Sequence, residues 1–185
     1  MCREGQGHVL IVAGEQNIKD DLLLHVEKVG LPILCAEDGE SALAFTQEKK
    51  VELVITDLKM PKTDGLMFIS ALRVIDYDLP VIICTAELDA SNALDFLALG
   101  VSHIFENPID FYSFVQSASA AIDTYRSRLR IKKVSTTIYN TYLSVVNVIE
   151  NRVISDQERT DFLKTIDEKF DEIVKIQIQD SKVAK

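Results

Sequence analysis

His8-Val9-Leu10-Ile11-Val12-Ala13 and Leu53-Val54-Ile55-Thr56 are short apolar runs without polar alternation. A strand wet on one face alternates polar and apolar residues. A run that does not alternate is buried on both faces, so helices must cover both sides of its sheet. Working outward, Val81-Ile82-Ile83-Cys84 and Ser102-His103-Ile104-Phe105 repeat the pattern, and Pro32-Ile33-Leu34-Cys35-Ala36 repeats it more weakly. Helical stretches separate the runs. In the first, Asn17 to Val29, Leu22, Leu23, Val26 and Val29 recur at three- and four-residue spacing before Gly30 and Pro32 end it. The others run from Ser41 to Lys49, from Gly65 to near Asp76, from near Asp89 to Leu99, and onward from near Asp110.

Five strand–helix units in alternation predict an α/β fold built on a doubly wound parallel sheet. Right-handed crossovers limit the topology, and the flavodoxin-like strand order 2-1-3-4-5 is the expectation. In such a sheet, function collects beyond the carboxyl ends of the strands, near the switch point between the first and third. Ala13, Gly14 and Glu15 follow the first strand, Asp57 the third, Thr85 the fourth, and Asn107 and Pro108 the fifth. These residues include a central carboxylate, a hydroxyl and an amide, but no general base and no glycine-rich phosphate loop.

Composition narrows the class. The chain has 185 residues, 47% apolar and 26% charged, which excludes a largely disordered, collagen-like or disulfide-built chain. No apolar run approaches the ~18 residues of a membrane-spanning helix, and residues 1–7 read as a polar, flexible N-terminus without a signal-peptide stretch. Cys2, Cys35 and Cys84 form no C-x-x-C pair. A cytoplasmic protein with reduced thiols is expected.

The charge is uneven. Residues 1–125 hold 8 lysines and arginines against 20 acids, whereas residues 126–185 hold 12 against 9. The second part opens with Arg126, Arg128, Arg130, Lys132 and Lys133, and neither glycine nor proline occurs after Pro108. Two units are expected, an α/β domain over 8–125 and an all-α helical hairpin over 126–185.

Asp57-Leu58-Lys59-Met60-Pro61-Lys62-Thr63-Asp64-Gly65 fits the pattern D-x-x-M-P-x-x-D-G. In its strand context this nine-residue motif resembles the response-regulator receiver domain of two-component signalling. Thr85-Ala86 fits a second signature of that family and Pro108 a third. The resemblance covers about Val9 to Tyr125.

The resemblance implies that Asp57 is the phospho-acceptor, attacking a phosphohistidine on a histidine kinase. It further implies a magnesium ion held by Asp57 and two acids after the first strand, a hydroxyl at Thr85, a lysine after the fifth strand, and an aromatic residue three places before that lysine. The sequence departs from this set. The acid positions are Ala13 and Gly14, the lysine position is Asn107, and the aromatic position is Ile104.

Two readings stand side by side. In one, this is a pseudo-receiver that signals through protein–protein contact without phosphotransfer and without a metal. In the other, Asp57 is phosphorylated, Glu15 joins it as magnesium ligand one residue late, and the switched protein acts on a protein or DNA target. A haloacid-dehalogenase-like phosphatase expects a second aspartate two residues after the first, where this chain has Lys59. His8, His25 and His103 are far apart in sequence and read as solvated or packed. Cys84 reads as a small buried hydrophobe. No catalytic activity beyond self-phosphorylation is expected.

In the second unit, Ile131, Val134, Ile138, Tyr142, Val145 and Ile149 form a helical stripe that begins at Ala118. A break is expected near Val153. Ser155-Asp156-Gln157-Glu158 then reads as a capping box opening a helix that carries Phe162, Ile166, Phe170, Ile173 and Val174. Lys164, Lys169 and Lys175 mix with Glu168 and Glu172 on its outer face. Two helices bury both stripes poorly alone, so a homodimer through a four-helix bundle is expected, with packing back on the receiver as the alternative. No histidine follows His103, which excludes a phosphotransfer bundle as the active unit. The basic cluster reads as a solvated helix face or an acidic-partner contact rather than a nucleic-acid site.

Overall fold

The computed structural model describes residues 7–60, 64–86, 90–150, 155–158 and 160–168. The chain divides into two compact units, Met1–Arg126 and Ser127–Lys185.

The first unit runs β1 (His8–Val12), α1 (Gln16–Val26), a 3-10 turn (Glu27–Val29), β2 (Ile33–Ala36), α2 (Gly39–Glu48), β3 (Val51–Thr56), α3 (Gly65–Ile75), β4 (Val81–Thr85), α4 (Ala90–Ala98), β5 (His103–Glu106) and the start of α5 (Phe111–Glu150). The five strands pair in the order β2-β1-β3-β4-β5, all parallel, as the unalternated runs required. Val9 to Val12 of β1, all of β3 and all of β4 are buried, whereas β2 and β5, at the edges, are only partly covered. On one face Val9, Ile11, Leu53, Ile55, Ile82 and Cys84 pack with Leu22, Val26, Phe114, Ala118 and Ile122. Alternate residues point to the opposite face, and the buried side chains of Phe68, Ile69, Leu72 and Phe96 belong to the helices α3 and α4.

Local chemistry moves several boundaries from their expected places. The helix after β1 tightens into its 3-10 turn and stops at Gly30, whose φ of 76° favours glycine. α2 starts at Gly39 because Asp38 caps it, its carboxylate accepting from the Ser41 amide at 2.9 Å. β3 begins at Val51, so Glu52 lies inside a buried strand. Burial pushes the Glu52 carboxyl up, but hydrogen bonds from Lys50 at 2.6 Å and from Arg126 outweigh that and hold it below the usual range. Arg126 is therefore not a solvated member of the basic cluster: its guanidinium donates from Nε (2.8 Å) and Nη2 (2.5 Å) to the same Glu52 oxygen.

Arg73, in the last turn of α3, reaches four backbone carbonyls. Its Nε donates to Leu99 (2.6 Å), Nη1 to Leu79 (2.6 Å) and Asp76 (3.4 Å), and Nη2 to Gly100 (3.1 Å). These carbonyls terminate α4 and the loop before β4, so one cation ties three chain segments.

In the second unit, residues 156–158 and 160–168 are helical. The capping box forms: the Glu158 amide donates to Ser155 Oγ at 3.3 Å, and the Ser155 amide donates back to the Glu158 carboxylate at 3.2 Å. The Tyr142 hydroxyl donates to Asp167 at 2.5 Å, which joins the two helices of the unit. Ile138, Tyr142 and Val145 are half-buried, while Ile131 and Val134 are exposed. On the other helix Ile166 is half-buried with Leu163, three residues earlier, and Phe162 is 48% exposed. The inward face thus runs through Leu163 rather than Phe162. The expected break at Val153, and Lys169, Phe170, Glu172, Ile173, Val174 and Lys175, lie outside the described residues, as do residues 1–6, Pro61, Lys62, Thr63 and the side chain of Ile149.

Replacing Arg73 by alanine should lower the stability of the receiver by about 2–3 kcal/mol, since bonds from a charged donor are lost and part-buried carbonyls are left open. Urea unfolding of the two proteins checks this. A change below ~0.5 kcal/mol would show that the carbonyls are satisfied without it.

Candidate functional site

Strand register builds the site. Val12 pairs with Thr56 and Thr56 with Ile83, while Thr85 pairs with Glu106. The next residues therefore align along the carboxyl edge of the sheet. The Asp57 amide donates to Val12 at 3.1 Å, and the Asn107 amide donates to the Thr85 carbonyl at 3.0 Å.

Asp57 is 4% exposed and Thr85 is 2% exposed. The Leu58 amide donates to Asp57 Oδ1 at 2.6 Å. Burial is the largest influence on the Asp57 carboxyl and pushes it up. The Leu58 and Lys59 amides pull it down, the charge of Glu15 pushes it up, and the charge of Lys59 pulls it down; the balance is upward. Cys84, between Ile83 and Thr85, is buried, and its thiol is pushed up to about 12 by burial and then by the charges of Asp57 and Asp21. It stays protonated and serves as core.

The loop after β3 explains its own residue types. Asp64 caps α3, accepting from the Leu66 amide at 3.0 Å, and forms an isolated bridge with Lys59. A Cβ on Gly65 would stand 3.0 Å from the Leu58 backbone, so glycine lets α3 start against Leu58 without a shift of that backbone. Met60 sulfur accepts from the Thr56 hydroxyl at 3.7 Å.

The remaining candidates are more exposed than the buried pair. Glu15 is the exposed residue before α1, and its side chain makes no cap bond there. Asn107 and Pro108 are exposed and joined by a cis peptide. Ile104 is half-buried on β5, its place set by pairing with Ile83. The histidines lie in three separate settings. His8 contacts the Lys50 carbonyl, His25 the rings of Phe111 and Phe114, and His103 the ring of Phe105. Among the described residues no three or more His, Cys, Asp or Glu side chains gather as a metal centre.

The residues present do not fit the three-acid magnesium arrangement that the resemblance implied. Ala13 is fully buried and apolar and Gly14 has no side chain, so neither offers a side-chain carboxylate there. One Asp57 oxygen is committed to an amide. Sequence reading missed Glu52, Arg73 and Asp76 as organising groups. The signal for Glu52 was available: a carboxylate directly before an apolar run, inside the strand once the strand starts at Val51.

The response regulator receiver domain model matches residues 9–119. The chain belongs to the response-regulator receiver family. A receiver domain is a signalling module of two-component systems. The receiver is 28% identical over 116 residues to the transcriptional regulatory protein GlrR of Escherichia coli K12, covering 63% of this chain and 26% of that protein. It is 27% identical over 154 residues to the probable transcriptional regulator ycf27 of Porphyridium aerugineum, covering 82% of this chain and 63% of that one. The chain thus spans only part of these relatives. A CheY-like receiver domain protein of Methanospirillum hungatei superposes with a TM-score of 0.62 at 18% identity, covering 67% of this chain and 99% of that one, and shares its fold. Among the described residues, no helix is long and apolar enough to cross a membrane.

The raised Asp57 carboxyl has a consequence for stability. Its folded value lies above its unfolded one, so the folded state binds the proton more tightly. The penalty is absent at pH below the ordinary carboxylate range, grows as pH rises through that range, and is complete above the folded value. Asp57→Asn should therefore stabilise the receiver at neutral pH, with the gain vanishing toward pH 3. Thermal unfolding of both proteins across that range checks it; a gain independent of pH would contradict the assignment.

Proposed function

We propose that this receiver signals through protein–protein contact, with magnesium-dependent phosphotransfer to Asp57 weak or absent. The observation that carries the reading is the joint replacement at the carboxyl edge: Ala13 and Gly14 where acids are needed, and Asn107 where a cation is needed. A doubly charged phosphoryl group on a buried aspartate has to be neutralised, and the Leu58 amide already donates to Asp57 Oδ1 here. Half-buried Ile104 has no polar tip to favour an outward position, so the aromatic switch is absent as well.

The second unit supplies the contact, as a homodimer. Exposed Ile131, Val134, Tyr139, Leu143 and Phe162 support that use, since a two-helix unit gains a core by pairing with another. Partners are a histidine kinase or a downstream signalling protein in the cytoplasm. The relatives named transcriptional regulators do not carry DNA binding over to this chain, whose residues 1–125 hold 20 acids against 8 bases. The protein has no catalytic role of its own in this reading and needs no cofactor.

One observation favours the second reading. The charge of Glu15 is felt at Asp57, which puts a second carboxylate within electrostatic reach of the pocket. If Glu15 and Asp57 share a magnesium ion, Asp57 is phosphorylated and the dimer answers to it.

Dimer affinity, measured by sedimentation for the wild type and Asp57→Asn with and without acetyl phosphate, separates the two. The expected result is no difference beyond ~0.5 kcal/mol. A tenfold change, about 1.4 kcal/mol, seen only in the wild type and only with the donor, would establish a phospho-switch. Ending the chain after Arg130 should leave a folded monomer, and a full-length protein that is itself monomeric at micromolar concentration would remove the dimer from the account.

A further inference from the structure

Tyr125 and Arg126 are consecutive residues of α5 and the last two of the first unit. Each is tied to a different part of the receiver. The Tyr125 hydroxyl, on a 6% exposed side chain, donates to Asp76 Oδ2 at 2.7 Å. The other Asp76 oxygen accepts from the amides of Asp78 (3.0 Å) and Leu79 (3.2 Å), so the carboxylate is held in place. Arg126 donates twice to Glu52, which is 1% exposed. Lys50 holds the second Glu52 oxygen at 2.6 Å. Gly7 closes over the pair so tightly that a Cβ there would stand 2.1 Å from the Glu52 carboxyl carbon.

These ties lie at the far end of the sheet from the phospho-acceptor position. Glu52 and Asp57 are five residues apart along one strand, about 16 Å at the usual rise. Thr85, Ile104 and Asn107, through which a receiver's phosphate would act, all lie at the Asp57 end.

The helix changes character just after the ties. From 127 to 134 no residue is buried, and only Leu129 is half-buried. Two turns without a buried side chain are not stable helix by themselves, because isolated helices shorter than ~12–15 residues are marginal in water. With no buried side chain to anchor them, their order depends in part on what holds the turns on either side.

We propose that the Tyr125–Asp76 and Arg126–Glu52 contacts form an output latch: while both are made, the receiver keeps the exposed turns 127–134 helical, and releasing either one lets those turns fray. The latch gives the receiver a hold on the helix that leaves it without using the pocket at Asp57. It needs no phosphate, metal or aromatic switch, so it stands whether or not Asp57 is phosphorylated.

Hydrogen exchange on the full chain tests this, comparing the wild type with Arg126→Gln, Arg126→Lys and Tyr125→Phe. Amides of residues 127–134 should exchange at least tenfold faster in Arg126→Gln and Tyr125→Phe, while amides of β1, β3 and β4 keep their protection. Arg126→Lys, which preserves the charge on Glu52, should fall between. If exchange rises equally in the strands and in 127–134, the contacts are general props of the fold and the proposal fails. It fails too if 127–134 exchanges at the wild-type rate. Should Arg126→Gln not fold, Tyr125→Phe alone decides, because it removes one hydroxyl and leaves no buried charge unpaired.

Discussion

A single carboxylate, Asp57, is buried at the end of a strand, where the Leu58 and Lys59 amides donate to it. The sheet puts it there. β1, β3 and β4 are dry on both faces, so their carboxyl ends are the first places where polar chemistry emerges, and Asp57 emerges between β1 and β4. In a receiver built to take a phosphoryl group, clustered acids and a cation balance one another at this point. Here the sequence has Ala13 and Gly14 at the acid positions and Asn107 at the cation position, and burial leaves the Asp57 carboxyl raised.

The opposite end of the same strand carries the contrasting solution. Glu52, like Asp57, is buried, yet its carboxyl is held low because Lys50 and Arg126 meet it directly. The two acids of β3 and its exit thus show both fates of a buried carboxylate: one shifted toward the neutral form by burial, one kept charged by cations. Glu52 pairs with Lys50 and with Arg126 of α5, at the end of β3 away from Asp57.

Most of the architecture was legible because it rests on periodicity. Unalternated runs such as Val81–Cys84 require a sheet covered on both faces, and connection rules leave few strand orders. The motif from Asp57 to Gly65 was legible because its residue types have local causes: Asp64 as a cap and Gly65 where a Cβ would crowd Leu58. What escaped was long-range pairing. Nothing in the text of the sequence joins Arg126 to Glu52, 74 positions away, or Arg73 to the carbonyls of Leu99 and Gly100. Charged residues read one at a time look like solvated surface, and only the closed fold brings them to their partners. On the second helix, Phe162 and Leu163 are both apolar, and spacing alone does not say that Leu163 is the more covered of the two.

The measurement that bears most directly on the central claim is magnesium titration in the presence of beryllofluoride, followed through the amide signals of Leu58, Lys59, Thr85 and Ala86. If Asp57 lacks the acids and the cation that a phosphoryl group needs, those signals should move only weakly and without saturation, in the wild type and in Glu15→Ala alike. Saturable shifts around Asp57 that disappear in Glu15→Ala would contradict the account and make this a working phospho-receiver with a displaced metal ligand.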